Sequence, residues 1–275
     1  MKIAAAAVQM NSGDDVAANL RMAEKLLVQA AASGARLAVL PENFAFMGAR
    51  EADKLAHGEM PGAGPIQEFL STAAKRLGLW LVAGTVPLRV PGRDDKVFAA
   101  NIVYDPQGHA VGRYDKIHLF DVDVERAGKL ESYRESRSIE YGAIAPRTVQ
   151  TELGVLGLSV CYDLRFPELY RALAEQGAQM LCVPSAFTEK TGEAHWEPLL
   201  RARAIENQCF VIAPGQSGTH PGGRHTWGHS MIVDPWGAVL ACQPQGEGVV
   251  VAELDFVRQS QIRTSMPCLS HRRIP

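Results

Sequence analysis

A chain of 275 residues with 47% apolar content can bury a sizeable core, as one large domain or as two ordinary ones. Its 28 basic and 30 acidic side chains leave a formal charge of −2, which excludes a global basic field and makes nucleic acid or an anionic membrane an unexpected partner. Five cysteines without C-x-x-C spacing suggest neither a disulfide framework nor a metal site, and no apolar run approaches the roughly 20 residues of a membrane helix, so a soluble protein of the reducing cytoplasm is expected.

Residues 3–8 read as a first strand, since the apolar stretch is too short for a signal segment and runs straight into a helical pattern. Residues 12–15 offer caps to a helix carrying Val16, Leu20, Ala23, Leu26, Leu27 and Ala30 at helical spacing, ended by Gly34. Residues 36–40 form a second strand, finishing in Pro41-Glu42-Asn43-Phe44. A Pro/Gly loop at 61–65 precedes a helix over 66–77, then a strand over 80–86. Residues 99–104 and 110–114 form a hairpin around Asp105-Pro106-Gln107-Gly108. Residues 115–146 are long, charged and irregular, and compact domains seldom keep such segments without a functional reason. A strand pair around Gly154 leads through the apolar run 155–160 to Cys161, a polar turn, and a helix opening at Pro167. A strand at 180–183, a helix at 197–206, a strand at 209–213 and a hairpin of 230–233 with 239–242 follow. Residues 249–254 close the sheets, and a short helix over 256–264 precedes a basic tail. The alternation of strands and helices, interrupted by hairpins, implies a layered α/β protein with mixed sheets, and no break in composition divides residues 1–275 into more than a single domain.

Glu42, Lys116 and Cys161 each sit just past an apolar strand, where α/β proteins gather their functional groups. Cys161 stands where a buried strand gives way to a turn and a helix, a place where backbone N–H groups and cations act on a thiolate. Taken singly, Cys161 also fits a small buried hydrophobe, Glu42 a surface carboxylate and Lys116 a solvated lysine. Apolar neighbours (Leu40, Pro41 and Phe44 for Glu42; Ile117, Leu119 and Phe120 for Lys116) argue against exposure of the last two.

Leu-Pro-Glu-Asn at 40–43, Tyr-Asp-Lys-Ile-His-Leu-Phe-Asp at 114–121 and Cys-Tyr-Asp-Leu-Arg-Phe-Pro-Glu at 161–168 resemble, in order and spacing, the three signatures of the nitrilase, or carbon–nitrogen hydrolase, superfamily. Residues 184–187, 194–197, 201–208 and 228–237 resemble its amidase branch. The resemblance implies a four-layer α-β-β-α sandwich with two mixed β-sheets and homodimers formed through helices near the nucleophile, here residues 167–176 and 197–208. Cys161 would attack an amide carbonyl to give a thioester, with Glu42 as general base and Lys116 facing the developing oxyanion. The Tyr162 N–H would be a second oxyanion donor. A further glutamate would assist; Tyr-Arg-Glu-Ser at 133–136 points to Glu135, with Glu125 and Glu131 as competitors. No metal or organic cofactor is implied.

Cys-Tyr-Asp at the nucleophile differs from the Cys-Trp-Glu usual in true nitrilases. The stretches 161–208 and 227–237 look most like the branch that hydrolyses deaminated glutathione to 2-oxoglutarate and cysteinylglycine. The sister omega-amidase branch, acting on alpha-ketoglutaramate, is the alternative, and a non-catalytic binding or scaffold member is the alternative of a different class. A small anionic amide calls for a cation in the pocket, and Arg165 is the first choice, against a bracing role on backbone carbonyls. Phe187, Thr188, His195 and Trp196 are expected along the pocket, His195 in a packing or supporting role.

Overall fold

The first strand, β1 (Lys2–Gln9), explains the layering: Ala5 and Ala7 face one core while Ala6 and Val8 face another, so both of its faces are buried. β2 (Leu37–Val39) repeats this, with Leu37 and Val39 on one side and Ala38 on the other. The computed structural model describes residues 1–126 and 129–274, apart from the side chains of 125, 126, 129 and 130. In it, β1 and β2 join β3 (Trp80–Val82), β4 (Val86–Val90), β5 (Arg93–Tyr104), β6 (Ala110–Asp115) and β17 (Gly248–Asp255) in one seven-stranded sheet, ordered β17-β1-β2-β3-β5-β4 with β6 also on β5. A second sheet is formed by β9 (Arg147–Thr151), β10 (Gly154–Leu158), β11 (Met180–Cys182), β12 (Phe210–Ala213), β15 (Ser230–Val233) and β16 (Val239–Gln243), ordered β16-β15-β12-β11-β10-β9. Both sheets mix parallel pairs (β1–β2, β2–β3; β10–β11, β11–β12) with antiparallel ones.

Helices α1 (Val16–Ala32) and α2 (Pro65–Leu77) cover the outer face of the first sheet, packing Leu26, Leu27, Ala30, Ile66 and Leu70 against Ala6, Val8 and Leu81. Helices α3 (Pro167–Glu175) and α4 (Glu189–Asn207) cover the second through Leu169, Leu173, Leu200 and Ala204. The inner faces of the sheets share one core, Leu37, Val39 and Val82 of the first with Leu156 and Leu158 of the second. The expected α-β-β-α sandwich is the observed one. A final helix, α5 (Phe256–Ser265), packs Phe256 against Phe210. Among the described residues, no helix is long and apolar enough to cross a membrane.

Four expectations change in detail. Asp15 alone caps α1, accepting from Ala18 N at 3.0 Å, whereas Ser12 is buried with its hydroxyl on Phe44 O at 2.8 Å. The single strand at 80–86 is two, broken at Gly84, because the backbone there takes φ +66. The irregular 115–146 segment contains the ribbon β7 (Asp121–Arg126) with β8 (Lys129–Arg134). The helix placed at 197–206 begins at Glu189 and passes through Pro198; its first turns are polar and largely exposed, so they give no apolar stripe to read. A short ribbon of β13 (Ser217–Thr219) with β14 (His225–Trp227) went unanticipated, being rich in Gly, Thr and His and only three residues per strand.

Candidate active site

The ends of β2, β6, β8 and β10 bring Glu42, Lys116, Glu135 and Cys161 together. The loop carrying Glu42 leaves β2 and lies directly on Gly84, where any Cβ would come within 2.0 Å of the Pro41 carbonyl oxygen; only glycine tolerates both that approach and φ +66. The loop is pinned further by Asn43 N donating to Thr85 Oγ1 at 2.8 Å and by Gln216 Nε2 donating to Glu42 O at 3.0 Å. Lys116 follows the last residue of β6; its N–H donates to Ala99 O at 3.1 Å and its carbonyl accepts from Gly142 N at 2.9 Å. Cys161 lies beyond β10, opens the 3-10 turn Cys161–Arg165, and donates its N–H to Pro184 O at 2.9 Å. Its φ of +48 is a strained conformation for a residue with a side chain, of the kind that concentrates at functional sites.

Lys116 Nζ donates to Glu42 Oε1 at 2.8 Å and to both oxygens of Glu135, at 3.0 and 2.8 Å. The three side chains are 1%, 3% and 9% exposed, so this is a dry ion cluster of two carboxylates on one ammonium. Glu135 follows β8 and also accepts from Phe120 N at 2.7 Å. Of the three candidate glutamates it is Glu135 whose carboxylate meets Lys116; Glu131 accepts from the Tyr133 hydroxyl at 2.8 Å, and the side chain of Glu125 lies outside the described residues.

Burial pushes the Glu42 carboxyl up, but the charge and hydrogen bond of Lys116, with a hydrogen bond from Cys161, hold it below its ordinary value. Burial pushes the Lys116 ammonium down, and the Glu135 and Glu42 carboxylates more than reverse that. Burial, then the charge of Glu42, push the Cys161 thiol well above its ordinary value, against Lys116 and the Ala186 N–H. The resting site thus pairs a protonated thiol with an ionised carboxylate, and a fixed cation sits beside both. Such a set can pass a proton from sulfur to carboxylate as a carbonyl is attacked.

Sequence reasoning missed the residue that locks these parts together. Asp163, fully buried, accepts from Val160 N at 2.8 Å and from the Tyr114 hydroxyl at 2.7 Å through Oδ2, and from His118 N at 3.1 Å through Oδ1, which also meets His118 Nδ1 at 2.7 Å. One carboxylate therefore ties the nucleophile turn to the segment that carries Lys116. Its only trace in the sequence is an aspartate within Cys-Tyr-Asp and a Tyr-x-x-x-His pattern around Lys116.

Cys161 opens onto a narrow cleft lined by Glu42, Glu135, Phe120, Tyr162, Arg165 and Phe187, together with Ala186, Thr188, Thr191 and Arg224. Tyr162 sits in the first turn of the 3-10 segment, where N–H groups have no intrahelical partner. Arg165 lies over the rings of Phe187 (5.3 Å) and Tyr162 (5.8 Å) and meets His195 Nδ1 at 3.1 Å. Phe187 and Thr188 line the cleft as expected, but His195 and Trp196 do not. Thr191, in the first turn of α4, reaches the cleft, whereas His195, one turn further along the same face, is exposed and meets Arg165, and Trp196 packs on Phe187 at 4.8 Å. Arg224, Thr191 and Phe120 were not anticipated. Among the described residues no group of three or more His, Cys, Asp or Glu side chains could hold a metal ion, and all five cysteines are free thiols.

Residues 4–264 match the family model described as carbon-nitrogen hydrolase. The chain is 46% identical over 269 residues to the deaminated glutathione amidase of a Synechocystis strain, covering 98% of this chain and 97% of that one. It is 42% identical over 272 residues to the deaminated glutathione amidase of Homo sapiens, covering 98% of this chain and 81% of that one. The crystal structure of the Caenorhabditis elegans NitFhit protein superposes with a TM-score of 0.91 at 37% identity, covering 99% of this chain and 65% of that longer one.

Proposed function

The chain belongs to the carbon–nitrogen hydrolase family, and from that premise we propose that it hydrolyses the amide bond of deaminated glutathione, releasing 2-oxoglutarate and cysteinylglycine. It is a hydrolase acting on carbon–nitrogen bonds of amides other than peptide bonds. The observation that carries the reading is the buried Glu42–Lys116–Glu135 cluster beside Cys161 in one cleft. As Cys161 Sγ attacks the amide carbon, Glu42 takes the thiol proton, and the oxygen charge develops beside the Lys116 ammonium and the Tyr162 N–H. Collapse breaks the C–N bond, and Glu42 returns the proton to the leaving nitrogen. Glu42 then deprotonates a water that attacks the thioester, freeing the carboxylate and the thiol. Glu135 holds Lys116 in place and keeps it charged. Arg165, on its aromatic bed, binds the carboxylate at the acyl end of the substrate.

Residues 1–275 act in this reading as a single catalytic domain, and two copies pair as a homodimer through α3 and α4. Those helices already brace each other through Arg171 Nη1 donating to Glu206 O at 2.8 Å, and Ile205 on α4 is 44% exposed. A cytoplasmic setting keeps the thiols reduced. The test is release of oxo acid and ammonia by wild type and Cys161→Ala, offered deaminated glutathione or alpha-ketoglutaramate. Oxo-acid release mainly from deaminated glutathione, and none from the variant, is expected. Faster turnover of alpha-ketoglutaramate would move the assignment to an omega-amidase.

A further inference from the structure

Arg224 is the cleft residue whose bonding is incomplete. It follows the tight turn Pro221–Gly223 and directly precedes β14, on a ribbon held from three directions. His220 N donates to Arg224 O at 2.8 Å, the buried His220 ring meets Ser12 O at 2.8 Å and Thr226 Oγ1 at 2.7 Å, and Trp227 N donates to Phe187 O at 3.0 Å. The guanidinium is therefore presented on a fixed base. Nη1 donates to Glu51 Oε1 at 3.0 Å, Nη2 to Ala186 O at 3.1 Å, and the group lies 5.3 Å over the Tyr133 ring. Nε is buried and has no partner. A buried donor left unpaired costs stability, and in a cleft wall such a donor points to a ligand oxygen.

The two cleft arginines rest on different groups: Arg165 on Tyr162, Phe187 and His195, Arg224 on Glu51, Ala186 and Tyr133. The charge of Arg224, after that of Lys116, is among those that Glu42 feels. Deaminated glutathione carries one carboxylate at each end, and with Arg165 taking the acyl one, Arg224, with its Nε unpaired, is the cleft arginine left for the leaving-group half. We propose that Arg224 is a specificity-determining residue whose Nε–H binds the carboxylate of the leaving group, selecting amides of an anionic amine over primary amides. The inference rests on the substrate reading above and adds to it a reader for the dipeptide end.

Deaminated glutathione and alpha-ketoglutaramate share one acyl group and differ only in what leaves, so the ratio of their kcat/KM values isolates the leaving-group site. Arg224→Gln is expected to lower that ratio about 10- to 100-fold, the worth of one charged hydrogen bond, with most of the change in KM for deaminated glutathione. Arg224→Lys keeps the charge and the fold of the ribbon but lacks the Nε donor, and it should lower the ratio in the same direction. A fall of equal size on both substrates, in either variant, would mean that Arg224 only supports the cleft and would overturn the proposal while leaving the substrate reading intact. A wild-type enzyme that fails to hydrolyse deaminated glutathione would overturn both.

Discussion

Replacing Lys116 by methionine keeps the length of the side chain and removes the ammonium that holds Glu42 at 2.8 Å and Glu135 at 3.0 and 2.8 Å. Two carboxylates, 3% and 9% exposed, then lose their shared counter-ion. Burial is the largest influence on Glu42 and pushes its carboxyl up; in the wild type Lys116 outweighs it. Without Lys116 the strongest influence opposing burial is gone, and the Glu42 carboxyl rises above its ordinary range. Deleting one partner of a buried ion pair costs about 3–5 kcal/mol. At about 2 °C per kcal/mol for a chain of this size, Tm falls by about 6–10 °C. The sign with pH also inverts. Wild-type Glu42, depressed, contributes stability above its unfolded value that is lost as pH falls through the folded one. In Lys116→Met a raised carboxyl contributes stability at low pH that is lost as pH rises through the folded value, so the gap to wild type narrows in acid. Catalysis loses its oxyanion partner, worth about 10²–10³ in kcat. The assay is kcat/KM against pH for both proteins, with thermal melts at about pH 5 and about pH 8. An acid limb displaced to higher pH and a Tm deficit smaller at the lower pH are expected. An unmoved acid limb, or activity within about tenfold of wild type, would refute the electrostatic argument.

Asp163→Asn keeps the size of the side chain but cannot accept from all of Val160, Tyr114 and His118, so it should cost about 1–3 kcal/mol in a denaturant melt and lower kcat more than it raises KM. Equal stability with full kcat would remove Asp163 from the positioning of the site. Ile205→Glu puts a charge into the α3–α4 face, and light scattering after gel filtration should show wild-type dimers converted to monomers. A wild-type monomer would contradict the homodimer outright.

Much of this site is written at strand ends. Cys161 and Glu42 stand just past apolar strands and Lys116 just past the mixed strand β6, so a local pattern locates them, and the sheets bring those ends together. Glu135 is different: it stands in an irregular charged segment, and only the family resemblance picked it from three glutamates. Asp163 was illegible because its role lies in contacts to Tyr114 and His118, 49 and 45 residues away. Arg224 was illegible because β13 and β14 are too short and too polar to show a strand period. The place of His195 depended on the start of α4: with the helix beginning at Glu189 rather than at 197, Thr191 in its first turn lines the cleft, and His195 one turn further along meets Arg165 from outside the lining.

The central claim is that the substrate's acyl group passes through Cys161. Rapid acid quenching during turnover of deaminated glutathione, followed by peptide mass analysis, measures this directly. The account predicts the oxo-acyl group on the peptide containing Cys161, labile to hydroxylamine as a thioester and absent from Cys161→Ala. Turnover by Cys161→Ala, or an acyl group carried on any other residue, would contradict it.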